Sequence, residues 1–380
     1  MKKIVHVITG LGVGGAETFL LRLIPELVQA GYESSVIYLT GQGEYESAYR
    51  LKGIRVIPLK IRSPLGAIFG LRRLLKVLRA ESPDLIQTWM YHANLLGGVA
   101  GKLLGIPVLW GVMQSNLDRV ANKVGTRGAI RLSAAFSSVL PKKIIFDSDA
   151  ARLVHEQIGF DESKGRVHPN GVDQSVFEPQ QDRRHPLWVE LGIPDNSLVV
   201  GHVARYDVQK DHQTFLQAAK IARARVEELQ LIMVGADIEW ANPTLADSLR
   251  PETEFAWIHL LGSRDDVHDL YNAMDIFCSS SIGESCPNVV LEAMMMGLPC
   301  IVTDVGDSRR IVGSNGVVVS PMNPEKLAEE LVAVATLSRA ERRAIGTAMR
   351  TRALDEFTLS SAANRFVDCY DEMVSSFRCK

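Results

Sequence analysis

The sequence contains no apolar run near the roughly 18 uninterrupted residues of a membrane-spanning helix, so an integral membrane protein is not expected. Its five cysteines are odd in number and lack Cys-x-x-Cys spacing, which argues against a disulfide framework and a zinc site. No short repeat or low-complexity segment occurs. Lys2 and Lys3 resemble a signal peptide in charge, but His6 and the glycines from Gly10 interrupt its apolar region. We expect a cytoplasmic protein whose chain opens with a β-strand.

Acidic residues are missing from two intervals of the first half. None lies between Glu46 and Glu81, where nine bases occur and an amphipathic basic helix is predicted at Leu65–Arg79, and none lies in 119–146. Residues 1–175 carry 22 lysines and arginines against 14 acids, a net charge of +8, whereas the rest carries 20 against 30, a net charge of −10. We hypothesise peripheral binding to the inner face of the cell membrane, with a solvated basic face as the alternative. No aromatic-studded basic strand accompanies these charges, so nucleic acid is not an expected partner.

Strand-like and helix-like segments alternate along the chain, whose 380 residues favour two domains. Continuous apolar strands followed by amphipathic helices predict the α/β class, with parallel sheets covered on both faces. A polar segment at 174–197 is predicted to be an interdomain linker, and the tail from Ser338 to be wholly helical. The predicted divisions are 1–175, 176–357 and a C-terminal helix at 358–380.

Glycines at positions 10, 12 and 15 follow the first predicted strand and precede a helix. Their spacing satisfies the dinucleotide-binding pattern, but that pattern also requires an acid at the end of the second strand. Thr40 occupies that place, so an NAD-dependent oxidoreductase is kept only as a disfavoured alternative. Gly14 and Gly15 fit better as a loop whose amides approach a phosphate or a sugar ring. A glycine turn needed only for packing is the other interpretation.

The stretch Gly283–Gly297 combines a polar turn with a helix start, after an apolar strand. Pro287 is predicted to be the first helical residue, because its missing N–H would be unpaired there anyway. The helix is predicted to continue to Met296 and to end at Gly297. Free amides at the helix start, helped by the helix dipole, predict an anion site made of Asn288, Val289 and Val290.

Charged residues near this turn favour a nucleotide-sugar ligand. Glu284 and Glu292 flank the turn, and carboxylates should hold hydroxyl-rich parts of a ligand that also carries phosphate. Arg205 and Lys210 straddle another strand-to-helix turn, where cations can stabilise a departing diphosphate. Positive charge at a helix start opposes the dipole, and a bound anion would resolve that conflict. Two solvated surface charges are the alternative.

Taken together, these motifs resemble the retaining glycosyltransferases of family 4. The resemblance covers most of residues 4–320 and rests on five landmarks in family order: Gly14-Gly-Ala-Glu17, Thr88–Gly97 with its histidine, Asn170-Gly-Val-Asp173, Arg205 with Lys210, and Glu284 with Glu292. It implies the GT-B fold, in which two Rossmann-like doubly wound domains face a cleft and a C-terminal helix crosses back to the N-terminal domain. The turn reads Glu-Ser-Cys-Pro where relatives often have Gly-Phe or Gly-Leu after the glutamate, which leaves the transferred sugar open.

The resemblance also implies roles for single residues. Glu292 would hold ribose hydroxyls, Glu284 the transferred sugar, and the segment around Arg264 the base. The acceptor would bind to the N-terminal half. The implied catalytic residues are His92, Arg205, Lys210 and Glu284. The implied donor-binding residues are Gly14, Gly15, Arg205, Lys210, Ser263, Arg264, Glu284, Cys286, Asn288, Val289, Val290 and Glu292.

The implied reaction is hexosyl transfer from a UDP- or GDP-sugar, with retention of the anomeric configuration, to a glycan or polyprenyl-linked acceptor in cell-surface polysaccharide synthesis. Relatives need neither a metal nor a cofactor, and the absence of an Asp-x-Asp motif here is consistent with that. A nucleotide-sugar epimerase on the same fold is the alternative from another class of enzyme.

Overall fold

The computed structural model describes residues 1–12, 14–41, 43–61, 66–117, 123–180 and 186–378. The chain divides into two compact units. Unit 1 comprises Met1–Gly171 and Leu359–Lys380, and unit 2 comprises Val172–Thr358. Leu65 and Arg119, which belong to the predicted basic segments, lie outside the described residues.

Unit 1 contains seven strands and seven helices within the described residues. The strands are β1 (Lys2–Ile8), β2 (Tyr32–Tyr38), β3 (Arg55–Pro58), β4 (Leu85–Trp89), β5 (Val108–Val112), β6 (Lys143–Phe146) and β7 (Gly165–Val167). The helices are α1 (Gly15–Gln29), α2 (Glu46–Leu51), α3 (Gly66–Glu81), α4 (Tyr91–Leu104), α5 (Val124–Phe136), α6 (Asp149–Gln157) and, from the C-terminus, α15 (Leu359–Arg378). The strands form one parallel sheet in the order β3-β2-β1-β4-β5-β6-β7.

Both faces of this sheet are buried, which explains why its strands carry apolar residues on both sides. Ile4 and Ile8 of β1 pack into a core with α1 and α15, whereas Val5 and Val7 pack into a second core with α3, α4 and α5. Phe366 of α15 lies near the Trp89 ring, with 5.8 Å between ring centroids. The C-terminal helix is therefore part of the core of unit 1.

Unit 2 contains six strands and eight helices within the described residues. The strands are β8 (Leu198–Val203), β9 (Leu229–Val234), β10 (Ile258–Leu260), β11 (Ile276–Ser279), β12 (Cys300–Thr303) and β13 (Val317–Val319). The helices are α7 (Pro186–Glu190), α8 (His212–Arg223), α9 (Pro243–Asp247), α10 (Val267–Leu270), α11 (Asn288–Met295), α12 (Ser308–Val312), α13 (Pro324–Ala335) and α14 (Arg339–Glu356). The sheet is again parallel, in the order β10-β9-β8-β11-β12-β13.

The prediction of an interdomain linker at 174–197 is wrong, because Phe177, Leu187 and Trp188 are buried in the core of unit 2. The tail from Ser338 is helical as predicted, in two helices, since α14 ends at Glu356 and α15 begins at Leu359. The described helices include none that is long and apolar enough to cross a bilayer.

Candidate active site

The turns that carry Arg205 and Glu284 lie side by side at the carboxyl edge of the unit 2 sheet. Arg205 follows β8 and Glu284 follows β11, and these two strands are neighbours. The Ile282 amide donates to the Gln209 carbonyl over 2.8 Å and joins the turns. The strand order reverses between β8 and β11, and ligands of open α/β sheets bind at such a point.

Lys210 and Glu284 form an ion pair across these two turns. The Lys210 Nζ lies 2.5 Å from Glu284 Oε1, and the Ser281 hydroxyl donates to the same oxygen over 2.6 Å. The two side chains are 20% and 11% exposed, so the pair is shielded but still reaches solvent. The Ser280 hydroxyl donates to the Lys210 carbonyl over 2.8 Å, which fixes the lysine backbone against the second turn. The structure thus brings together a predicted cation and a predicted carboxylate.

Arg205 is largely exposed and is held by a carboxylate of its own turn. Its Nε donates to Asp207 Oδ2 over 3.2 Å, and the arginine side chain is 63% exposed. Partial burial acts to raise the pKa of Asp207, but the hydrogen bond from the Gln209 amide and the Arg205 charge outweigh it, and the pKa lies below its usual value. The sequence-based prediction did not include Asp207. A signal was present, because an aspartate whose side chain accepts a hydrogen bond from the backbone amide two residues later is typical of a turn.

Carboxylates of the protein also offset the positive charge at the start of α8. Asp211 adopts a left-handed backbone with φ +46° and accepts a hydrogen bond from the Thr214 amide over 3.2 Å. With Asp207 and Glu284 close to the two cations, the conflict between positive charge and the helix dipole is already relieved. That conflict therefore no longer argues for a bound anion by itself, and the bound anion stays a prediction. The placement of the cations supports a ligand site on other grounds.

Gly235 lets β9 pass close behind the Arg205 turn. Its φ is +149°, and an added Cβ would lie 2.0 Å from the Ala204 carbonyl oxygen. A backbone atom cannot yield as a flexible side chain can, so only glycine fits this position. The close approach fixes the backbone from which Arg205 projects.

The start of α11 differs from the prediction by one residue. Pro287 is the residue before the helix and not its first helical residue, and α11 covers Asn288–Met295. The Val290 amide donates to the Pro287 carbonyl over 3.1 Å, so the prediction that this amide is free is wrong. The first amides of a helix usually lack a partner within the helix, but the tight turn at the start of α11 gives the Val290 amide one. Asn288 and Val289 stay predicted anion contacts.

Glu292 is buried in α11 and accepts a hydrogen bond from a tyrosine. The carboxylate is 8% exposed, and the Tyr271 hydroxyl donates to its Oε2 over 3.1 Å and lies 3.3 Å from the Val289 carbonyl oxygen. A carboxylate in an apolar helix needs such a partner. Nothing in the local sequence indicated Tyr271, which is distant along the chain and precedes β11.

The segment predicted to lie near the base follows β10. Gly262 has φ +63°, and its amide donates to the Ile238 carbonyl over 2.8 Å. The Arg264 guanidinium donates to both oxygens of Asp266, over 2.8 and 2.7 Å, and holds the pKa of that carboxyl below its usual value. Ser263 is exposed, and Cys286 on the Glu284 turn is buried.

His92 lies at the start of α4 in unit 1, after a strained residue. Met90 has φ +71° and ψ 162°, a conformation nearly confined to glycine. Asn94 holds this turn, because its side chain bonds the Thr88 hydroxyl at 2.6 Å and donates to the Gly111 carbonyl over 3.2 Å. The His92 side chain is exposed, yet the surrounding protein partly desolvates the ring and lowers its pKa below the usual value.

Gly14 is the residue before α1, and Gly15 is the first residue of that helix. Gly14 has extended backbone with φ −156°, which any residue adopts, and a Cβ on it would meet only the mobile carboxylate of Glu17. A Cβ on Gly15 would meet nothing within 4 Å. Packing therefore does not explain a glycine at position 15, and the contact of both glycines with a phosphate or a sugar stays a prediction. No cluster of three or more potential metal ligands occurs among the described residues.

Two known families match successive parts of the chain. The family described as Glycosyltransferase Family 4 matches residues 13–176, and the one described as Glycosyl transferases group 1 matches residues 197–336. The UDP-Gal:alpha-D-GlcNAc-diphosphoundecaprenol alpha-1,3-galactosyltransferase of Escherichia coli is 24% identical over 79% of this chain and 78% of its own. The N,N'-diacetylbacillosaminyl-diphospho-undecaprenol alpha-1,3-N-acetylgalactosaminyltransferase of Campylobacter jejuni is 24% identical over 90% of this chain and 93% of its own.

Solved structures resemble the chain over nearly its whole length. The crystal structure of HepE from Anabaena in complex with UDP-glucose matches with a TM-score of 0.80 and 20% identity, and the match covers 99% of this chain and 100% of HepE. The two Rossmann-like units with parallel sheets, together with these structural matches, give the chain the GT-B fold. The chain belongs to family 4 of the glycosyltransferases, and the predictions of fold and family are confirmed.

Proposed function

We propose that this enzyme transfers a hexose from a UDP-sugar to a lipid-linked glycan in cell-surface polysaccharide synthesis, with retention and without a bound metal. The observation that carries the proposal is the Lys210–Glu284 pair beside Arg205 at the switch point of unit 2. The diphospho-undecaprenol acceptors of the Escherichia coli and Campylobacter jejuni relatives support this acceptor class. The UDP-glucose complex of HepE supports the donor.

Arg205 and Lys210 supply positive charge where a departing diphosphate develops negative charge. The bond between the anomeric carbon and the diphosphate oxygen breaks. The acceptor oxygen then forms a bond to that carbon on the same face, and its proton passes to the departing diphosphate. Glu284 gives up its ion pair with Lys210 and accepts hydrogen bonds from hydroxyls of the transferred sugar. In the proposed reaction the two cations stabilise the departing diphosphate in place of a metal ion.

The remaining residues have proposed binding roles. Glu292 accepts hydrogen bonds from ribose hydroxyls while Tyr271 holds its other oxygen. Ser263 and Arg264 contact the base, and the start of α11 contacts the diphosphate. In unit 1, His92 is the proposed catalytic residue. The other proposed contacts are Cys286 in unit 2, and Gly14 and Gly15 in unit 1.

Two variants test the assignment of the site. Lys210→Ala is expected to lower kcat by roughly 10²–10³-fold, the usual effect of removing one group that stabilises developing charge. Glu292→Ala is expected to raise KM for the donor. Lys326→Ala is the matched control, since this exposed lysine also forms ion pairs in unit 2 but lies in α13. Full activity of both site variants in folded protein would refute the assignment.

The choice of donor and reaction is tested with purified enzyme. Thermal shift against UDP- and GDP-sugars is expected to show stabilisation by a UDP-sugar. Release of UDP that depends on an undecaprenyl diphosphate-linked sugar acceptor indicates transfer. Conversion of the donor sugar without any acceptor would instead indicate an epimerase.

We also propose that unit 1 binds the anionic inner face of the cell membrane from the cytoplasm. The helix α3 exposes Arg72, Lys76 and Arg79 on one side and Ile68 and Phe69 at its start. Each base near an anionic bilayer contributes on the order of 1 kcal/mol, and exposed apolar side chains add burial. A surface of this composition suits an enzyme whose acceptor is anchored in lipid.

Sedimentation with vesicles tests the membrane proposal. Binding to anionic phosphatidylglycerol vesicles is expected to weaken with added salt and in Arg72→Ser/Lys76→Ser, and to be absent with phosphatidylcholine. Arg225→Ser is the control, because this exposed arginine lies in unit 2. Equal binding by all three proteins, or no binding at any salt concentration, would contradict the proposal.

A further inference from the structure

A second cavity lies at the amino edge of the unit 2 sheet, opposite the donor site. It is lined by segment 272–275 before β11, segment 296–299 before β12, and the start of α14. Its volume is about 350 Å³, which falls in the range of small-molecule pockets. The turns of the donor site follow the carboxyl ends of β8 and β11, at the opposite edge of the same sheet. One strand, roughly 13 Å for four residues, separates the cavity from the donor-site turns. Tyr271 also lines the cavity, and its hydroxyl contacts Glu292.

The lining of this cavity has a surplus of positive charge. Arg339, Arg342 and Arg343 of α14 line it, and Asp275 is the acid that does so. Asp275 already accepts a hydrogen bond from the Val199 amide over 2.9 Å. Arg339 and Arg343 are exposed, and neither forms an ion pair with another residue in the described ranges. The guanidinium groups of Arg339 and Arg343 are therefore available to bind a ligand.

The arginines stand on a helix start that is fixed in place. Arg342 Nη1 donates to the carbonyls of Ala335 and Leu337 at the end of α13, over 2.8 and 2.5 Å. Ser338 and Glu341 form a capping box, so the acid of the first turn is directed to its own helix end. Basic side chains at a helix start face the positive end of the dipole, and a bound anion would offset this.

The floor of the cavity is apolar. Trp188, Met274, Met296 and Leu298 line it, and the Trp188 ring is fixed by a hydrogen bond from Nε1 to the Ala273 carbonyl over 2.9 Å. Guanidinium groups match phosphate oxygens in forked geometry, whereas an ammonium group offers a point charge. We propose that this cavity binds a small molecule carrying phosphate or diphosphate groups, as a ligand site distinct from the donor site.

Pyrophosphate is the probe, and Lys210→Ala is the background, which weakens binding at the donor site; loss of binding on removal of Arg339 and Arg343 then identifies the cavity. Binding is measured by calorimetry and by tryptophan fluorescence at about 0.15 M salt, where unspecific attraction is screened. We expect saturable binding in this background. Adding Arg339→Ala/Arg343→Ala is expected to weaken it by about tenfold or more, because two charge-assisted contacts are lost.

Arg225→Ala in the same background is the matched control and is expected to bind pyrophosphate unchanged. Arg225, Arg339 and Arg343 are exposed, so their substitution should not disturb the fold. Thermal unfolding checks that each variant is folded. Absence of saturable binding in Lys210→Ala would overturn the proposal. Equal affinity with and without Arg339 and Arg343 would do the same. Both outcomes are independent of which sugar nucleotide the enzyme uses.

Discussion

Two buried tyrosine hydroxyls differ in their hydrogen bonding. The Tyr271 hydroxyl donates to the buried Glu292 carboxylate, 3.1 Å away. The Tyr370 hydroxyl in unit 1 is buried and has no hydrogen-bond partner among the described residues. A hydrogen bond to a charged group contributes more than a neutral one, and leaving a buried carboxylate oxygen without its donor is costly. The same chemical change should therefore affect the two positions differently.

We expect Tyr271→Phe to lower the free energy of unfolding by about 1–3 kcal/mol. The variant should also bind UDP more weakly, because Glu292 loses the contact that orients it. Tyr370→Phe is the matched control and should change stability by less than about 0.5 kcal/mol. Urea titration measures the first effect and calorimetry with UDP the second. Equal loss of stability in both variants would contradict the assigned role of the Tyr271 hydroxyl.

Single side chains were predictable where a local pattern fixes them. Lys210 and Glu284 stand on turns whose place after a strand follows from periodicity, and the parallel sheet then brings those turns together. The partners Ser281 and Asp207 are polar residues with no periodic signal. Tyr271 was not predictable, because its contact with Glu292 depends on how a short helical turn packs under α11.

At the scale of elements, the long strands and helices follow from the sequence and the short ones do not. Covered faces make strands such as β1 and β9 mostly apolar on both sides, which is a strong signal. Strand β7 has three residues, too few to show a period. Helix α10 has four residues and is followed by a separate 3₁₀ turn at Tyr271–Ala273, so neither is long enough to show a helical period. Segment 174–197 was misjudged because its polar residues outnumber the few apolar ones that are buried.

The start of α1 yields a prediction that separates binding from folding. Gly15 is helical, and a Cβ there would meet nothing within 4 Å. Alanine is favoured over glycine in a helix by roughly 0.5–1 kcal/mol, so Gly15→Ala should be at least as stable as the wild type. If the glycine serves close approach to the donor, kcat/KM should nevertheless fall by about tenfold or more.

Gly128 of α5 provides the control for Gly15. It is also helical, and a Cβ on it also meets nothing within 4 Å. Gly128→Ala should show the same gain in melting temperature with unchanged kcat/KM. A fully active Gly15→Ala would leave that glycine without a role in binding.

At the scale of the whole molecule, buried histidines occur in both units. Burial lowers their pKa values to about 3 or 4, and neighbouring positive charges add to this at some positions. These histidines are His6, His155 and His168 in unit 1, and His202 and His212 in unit 2. In the unfolded chain each would titrate near pH 6.5. Both units should therefore lose stability in mild acid.

His168 allows this prediction to be tested at one position. Its ring is 7% exposed and packs edge-on against Phe366, with 5.0 Å between centroids. Burial, and then the charges of Arg365, Lys143 and Arg166, lower its pKa to about 3.

Between about pH 6.5 and pH 3 the unfolded chain binds a proton at His168 that the folded chain does not. Stability therefore falls as the pH decreases through this range, by about 1.4 kcal/mol per pH unit for this residue. We expect His168→Gln to reduce the slope of unfolding free energy against pH by that amount between pH 6 and 4.5, as measured by urea titration. Parallel slopes for wild type and His168→Gln would show that this imidazole is not kept neutral by the fold.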